Sequence, residues 1–286
     1  MSSPVSKNRP GRIVRASYEL RQQFRYEYPG PIEHLEHRLV VAPPAVYGDQ
    51  RRVHHQLRVS PELPARWDYD TFGNLVVTIE AARVEHAVQL DYEAIVERSE
   101  GPALEARWND DPHFRLPSSL TLPSDALREA ARELMAQDEG CGNLATRINA
   151  FVFKHMRYVP DTTTVDTTAA HAFALGTGVC QDYAHIMIAL CRLCGIPARY
   201  VSGHLLGEGG THAWLEAIEY APNTGIPTVA AFDPTHDRRA TLDYVFVAAG
   251  RDYADVAPTS GRFVAPYIGR FTTSRNVDVV GVEYAA

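Results

Sequence analysis

Long apolar stretches are missing from this chain. No hydrophobic run approaches the roughly 18–20 residues that a membrane-crossing helix needs, so no membrane association is expected. The opening MSSPVSKNRPGRIVRASYEL carries basic side chains but lacks the apolar core of a secretory signal, and a cytoplasmic location is the expectation. Cysteine is scarce: there are four in 286 residues, three of them between Gly176 and His204, too few and too clustered for a disulfide scaffold. Positive charge is not in excess either. Lys and Arg number 28 against 35 Asp and Glu, a net charge of -7, which argues against nucleic acid or an anionic membrane as partner. No second Cys-x-x-Cys, EF-hand-like loop or solenoid-length repeat is present, so no metal, cofactor or repeat array is expected. What remains is 45% hydrophobic and 22% charged, ordinary for a globular protein of one large domain or two modest ones.

Organisation follows from periodicity. Residues 1–11 read as a disordered polar tail. Over 12–98 the period is two: Phe24, Tyr26 and Tyr28; Val53, His55, Leu57 and Val59; Leu75, Val77 and Ile79; Val88, Leu90, Tyr92, Ala94 and Val96. Gly73-Asn74 supplies a turn between two such runs, and the whole predicts an N-terminal β-sandwich or small barrel. Four prolines between residues 99 and 123 mark a linker. The remainder, 124–286, mixes helices and strands. Ser124 is a candidate N-cap for DALREAARELMAQ, and Leu144, Ile148, Phe151, Val152 and His155 share one helical face. Short strands follow in ARYVSGHLL, THAWLEAIEY, TVAAFDPT and DYVFVAA, with a last one in RNVDVVGVEY. The fold class is therefore α+β.

The segment GTGVCQDYAHIMIALCRLCGIPARYVSGH holds the chemistry-bearing cysteines. Gly176 and Gly178 permit a tight turn, after which Cys180 opens a helix that Gly195 and Pro197 end. A thiol at a helix start meets the positive end of the dipole and free N–H groups, which favour thiolate; Cys191 and Cys194 lie at the disfavoured end. At about 1.5 Å per residue, Cys191 is roughly 16 Å from Cys180, too far to bridge. The Cys191-x-x-Cys194 pair reads as two small buried hydrophobes, since thioredoxin-like pairs sit at the helix start and zinc needs a second ligand pair. Cys180 itself is either a buried structural thiol or a nucleophile. Downstream, GTHAWLEAIEY places His212 on a strand with Trp214 on the same side, and AAFDPTH places Asp233 at the end of the next strand. Thiol, imidazole and carboxylate are the parts of a cysteine enzyme. Spacing alone proves little in a chain with 12 histidines.

GTGVCQDYAHIMIALCRLCGIPARYVSGHL, HAWLEA and FDPTH together resemble the transglutaminase-like cysteine-hydrolase superfamily, and YDTFGNLV and GRDYADVAP are similar to its bacterial branch with a transglutaminase-type N-terminal β domain. The resemblance covers the chain from about Tyr18 to the last strand. It implies a papain-like core, helices packed on an antiparallel sheet, with Cys180 as nucleophile, His212 as base and Asp233 as orienter. It also implies amide chemistry through a thioester on a peptide or protein substrate, resolved by water in a protease or amidase, or by an amine in a transglutaminase. Hydrolysis is the expected outcome; a binding or scaffold role is the alternative of another class. Around the three residues, Asp182, His204, Trp214, Asp252 and Tyr253 are candidates for the cleft. Three have a plainer reading: Asp182 as a helix-dipole acid or a brace for the loop before Cys180, His204 as a surface or satisfied histidine, Trp214 as core; Asp252 and Tyr253, in the GRDY turn, would contact substrate.

Overall fold

The computed structural model describes residues 13–101, 104–136, 144–220 and 224–285. The N-terminal tail, Pro102 and Cys141 lie outside them. Seven strands come first: β1 (Ile13–Glu27), β2 (Ile32–Ala42), β3 (Val46–Tyr47), β4 (Gln50–Ser60), β5 (Ala65–Tyr69), β6 (Leu75–Val84) and β7 (Ala87–Ser99). They form because apolar side chains recur every second residue. In β1, Ala16, Tyr18, Leu20 and Phe24 are buried, and in β7 Val88, Leu90, Tyr92, Ala94 and Val96 face them. Val53 departs from the expected face and is 45% exposed. The register of β4 on β7 slips between Arg52 and His54, and a one-residue bulge turns every side chain before it to the other face.

After Ser99 the chain crosses the expected linker through two 3-10 turns, Pro112–Phe114 and Ser119–Thr121, and reaches the helical layer. This holds α1 (Asp125–Ala136), α2 (Leu144–His155), α3 (Ala169–Leu175) and α4 (Cys180–Leu193), with a small parallel pair, β8 (Arg157–Tyr158) and β9 (Thr177–Gly178), leading into α4. The Ser124 hydroxyl accepts the Leu127 N–H at 3.3 Å, as a cap of α1 should. α4 is buried from Gln181 to Arg192, which is why its sequence is apolar on nearly every side. It lies on an antiparallel sheet built from β10 (Ala198–Leu205), β11 (His212–Tyr220), β12 (Pro227–Asp233), β13 (Arg238–Arg239) and β14 (Tyr244–Gly250), in the order β13-β12-β11-β10-β14. A short α5 (Tyr253–Val256) follows. α3 was not anticipated, because seven residues after a threonine-rich stretch carry too little periodicity to read.

The chain then goes home. β15 (Thr259–Val264) pairs with β2, and β16 (Arg270–Tyr284) pairs with β1 along nearly its whole length. The sandwich sheets are thus β16-β1-β7-β4-β3 and β15-β2-β6-β5. The sequence-based division, with 124–286 as one catalytic domain, is corrected: the last two strands complete the N-terminal sandwich. Alternation identifies a strand but not the sheet it joins, since pairing across about 250 residues leaves no local trace.

The two parts meet at β14, the edge strand of the core sheet. Its free backbone groups are not left open, as an unpaired buried edge would be costly. Gln50 donates to the Phe246 carbonyl and accepts its N–H, both at 2.8 Å, and Asn74 does the same for Ala249, again at 2.8 Å. Two sandwich amides thereby mimic a neighbouring strand, and Asn74 of the DTFGN turn has a structural role. Beside them the Arg199 guanidinium reaches Glu216 at 2.7 Å and the Tyr47 hydroxyl at 2.6 Å, with Arg199 and Glu216 buried and Tyr47 half-buried where sandwich and core touch. Gln50→Leu and Asn74→Leu are each expected to lower unfolding stability by about 1–3 kcal/mol, the penalty for stranding buried backbone groups. The same change at exposed Gln56 should move it by less than about 0.5 kcal/mol. Urea unfolding curves measure both.

Candidate active site

Cys180 is the first residue of α4, where the earliest N–H groups of a helix have no carbonyl a turn behind them. The approach is held by Asp182. Its Oδ2 accepts the Val179 N–H at 2.8 Å and the Thr163 hydroxyl at 2.7 Å, and it is buried. Burial pushes the Asp182 carboxyl up from its ordinary value, partly offset by those donors. Gly178 lets the strand pass so close to this carboxylate that a Cβ there would collide with it. Asp182 is therefore a brace for the thiol's loop and not a wall of the cleft. Cys180 stays partly exposed, whereas Cys191 is fully buried. Burial raises the thiols of both Cys191 and Cys194 above their ordinary value, in keeping with packing roles.

His212 opens β11 and Asp233 closes β12. The strands are antiparallel with Leu215 opposite Phe232, so one step further Trp214 faces Asp233, and His212 lies on the same side of the sheet as its diagonal neighbour. The His212 Nε2–H donates to Asp233 Oδ2 at 2.7 Å, with both side chains buried. That oxygen also accepts the Tyr244 hydroxyl at 2.6 Å and His236 Nδ1–H at 2.8 Å, while Oδ1 takes the Thr235 N–H at 2.9 Å. Burial works against the Asp233 carboxylate, but hydrogen bonds from His212, Tyr244 and His236 outweigh it and hold its pKa far below the ordinary 3.8. Burial likewise disfavours the His212 imidazolium; Asp233 and then Cys180, as hydrogen-bond partners and charges, override it and raise the pKa to about 10.

With Nε2 held by Asp233, Nδ1 is the ring nitrogen that the carboxylate does not engage. It is buried and makes no aligned hydrogen bond. Glu208 Oε2 lies 3.0 Å from it, at ion-pair distance but off the N–H direction. The other Glu208 oxygen is 2.9 Å from His236 Nε2. Ligand atoms of His212, Asp233 and His236 lie within 4.8 Å of one another, yet the nitrogens facing the carboxylate are already its hydrogen-bond donors.

The other four sequence-derived candidates are engaged with partners of their own. His204 is buried, with its pKa lowered to about 4 by burial, and its Nδ1–H donates to the Gly210 carbonyl at 3.1 Å; it supports the turn before His212 and does not line a cleft. Trp214 is 2% exposed and packs edge-on against Tyr244 at 5.3 Å, behind His212. Asp252 caps α5 by accepting the Ala254 N–H at 2.9 Å and also takes the Leu120 N–H at 3.2 Å. Tyr253 is half-buried against Tyr200, with its own N–H on His185 Nε2 at 3.1 Å. Glu208, His236 and Tyr244 are the residues that sequence reasoning missed. His236 stands in FDPTH, and Glu208 is a lone acid among glycines between two strands of the site, a weak signal.

Comparisons with known proteins agree with this architecture. Residues 128–225 match the model of the transglutaminase-like superfamily, and residues 18–97 that of the bacterial transglutaminase-like N-terminal region. An uncharacterised protein of Mycobacterium leprae is 41% identical over 132 residues, 43% of each chain, so the match spans less than half of that relative. An uncharacterised protein of Mycobacterium bovis is 29% identical over 270 residues, 82% of this chain and 83% of its own. Among solved structures, a candidate cysteine protease from Cytophaga hutchinsonii aligns over 95% of this chain and 93% of its own, with TM-score 0.76 and 23% identity, a likeness of fold. No helix among the described residues is long and apolar enough to cross a membrane. The chain therefore carries a transglutaminase-like core at residues 128–225, preceded by a bacterial transglutaminase-like N-terminal region at residues 18–97.

Proposed function

We propose that this protein is a cysteine-dependent amide-bond enzyme that works through a thioester and releases it with water, as a protease or amidase. The reading is carried by one observation: a buried imidazole held at 2.7 Å by a buried carboxylate, with its second nitrogen left for a partly exposed thiol at a helix start. In this mechanism Cys180 gives its proton to His212 Nδ1, and the thiolate attacks the carbonyl carbon. The Cys180 backbone N–H, unpaired at the helix start, donates to the oxyanion. The tetrahedral adduct collapses, the C–N bond breaks, and Nδ1–H passes to the departing amine. Water, deprotonated by the same nitrogen, then splits the thioester. The runner-up is transfer to a second amine, which uses the same three residues and needs a cleft that keeps water out.

Mass spectrometry of peptides incubated with and without an added primary amine distinguishes the outcomes: chain cleavage by water, deamidation by a gain of about one mass unit, or cross-linking with loss of ammonia. Cleavage is expected. Unchanged peptides across a broad library would remove the hydrolase reading. Cys180→Ser should fold as wild type and lose activity by about 10^3-fold or more, and Asp233→Ala should be milder than His212→Ala, because orienting is a smaller task than proton transfer.

The proton on His212 gives a second check. Its raised pKa keeps the imidazolium at neutral pH, ready to protonate a leaving group. The associated stability is fully present below the ordinary 6.5 and is lost as pH rises through about 10. The depressed Asp233 carboxyl adds stability above its ordinary 3.8 that is lost as pH falls below it. The melting-temperature gap between wild type and Asp233→Asn should therefore be widest between pH 3.8 and 6.5 and narrow toward pH 10. In an NMR titration, His212 of Asp233→Asn should lose its proton at least about two pH units earlier than in wild type. Identical titrations would mean that Asp233 does not govern this imidazole.

A further inference from the structure

We propose that Glu208 is a specificity-determining residue that favours a cationic group, such as a lysine ammonium or an arginine guanidinium, on the amine side of the scissile bond. The inference rests on the cysteine-enzyme reading above and deepens it to a substrate class.

Glu208 sits on the turn between β10 and β11, and this turn is built rather than loose. His204 Nδ1–H holds the Gly210 carbonyl at 3.1 Å, the Leu206 N–H donates to the Asp243 carbonyl at 3.0 Å, and Arg275 reaches the Thr211 hydroxyl at 3.3 Å. Gly207 and Gly209 take positive φ of 91° and 63°, which only glycine adopts freely, and nothing lies within 4 Å of where their side chains would stand. The carboxylate between them is held from below by His236, which is itself hydrogen-bonded to Asp233 at 2.8 Å. The Glu208 side chain remains 38% exposed. It is an open, oriented negative charge beside the atom that moves the proton.

That placement determines which half of the substrate meets it. A leaving amine must come within about 3 Å of His212 Nδ1 to take its proton, and Glu208 Oε2 lies 3.0 Å from the same nitrogen. When Nδ1 gives up its proton, the carboxylate loses a positive neighbour and faces a lone pair. A cation carried by the amine-side residue replaces that neighbour, whereas an anion there meets repulsion.

The test needs no known substrate. The full-length protein is labelled with three methanethiosulfonates, one bearing a trimethylammonium, one a sulfonate and one a neutral methyl group, and modification at Cys180 is followed by peptide mapping. Each charged-reagent rate is divided by the neutral rate of the same variant, so that changes in the thiol itself cancel. At low ionic strength the cation-to-anion ratio should fall about fivefold or more from wild type to Glu208→Gln and stay within about twofold in Glu208→Asp. A ratio unchanged in Glu208→Gln overturns the assignment of Glu208 while leaving the nucleophile in place. If the neutral reagent modifies Cys180 no faster than Cys194, the cysteine-enzyme reading fails first and this one with it.

Discussion

A single oxygen, Oδ2 of Asp233, is the point on which the rest of the structure turns. A carboxylate with no solvent exposure is unfavourable unless donors surround it, and this one has three, from His212, Tyr244 and His236. Each donor constrains a different element. His212 must begin β11, His236 must stand three residues on in the turn after β12, and Tyr244 must begin β14, on the far side of β10. The last demand is the most expensive structurally, because it places an edge strand under the site. The sandwich answers it: Gln50 and Asn74 satisfy the outer edge of β14, and the Arg98 guanidinium donates to the Tyr244 carbonyl. The N-terminal domain is therefore part of the wall behind the imidazole and not an appended module.

The same logic separates the cysteines. One helix carries three thiols, and what distinguishes them is their place along it. Cys180 is at the end where N–H groups are unpaired, partly open to solvent and coupled to His212. Cys191 and Cys194 are at the other end, where burial favours the protonated form. A helix this apolar is needed as a rigid post under the sheet, and small sulfur-bearing side chains suit its crowded final turn.

Much of this is legible in the sequence. The helix from Cys180, the strands bearing His212 and Asp233 and the period-two sandwich all rest on local patterns, which local sequence reports well. What escaped depends on long-range pairing. β15 and β16 look like any strands, and only their partners assign them to the sandwich. His204 looked exposed or cleft-lining because a lone histidine near a site has no sequence mark of burial; its nitrogen serves a turn carbonyl six residues away. Glu208 and His236 are 28 residues apart and meet only because β11 and β12 fold back on each other. Asp252, although within a motif similar to the family's, is fully engaged as a helix cap, so motif membership did not translate into access to the cleft.

The geometry also limits how such a site can vary. His212 and Asp233 meet as diagonal neighbours on antiparallel strands, one step past the Leu215 and Phe232 pair. Side chains alternate with period two, so a one-residue slip of β12 against β11 would send Asp233 to the opposite face, away from the imidazole. Register is therefore the quantity to be protected, and the core sheet protects it from both directions. On one face, α4 packs apolar side chains against β10 and β11; on the other, Trp214, Tyr244 and Phe246 form a separate buried cluster. A slip of β11 would turn Trp214 out of that cluster, and a slip of β12 would turn Asp233 toward the apolar face under α4. The packing that stabilises the sheet and the alignment that brings carboxylate to imidazole are thus one constraint.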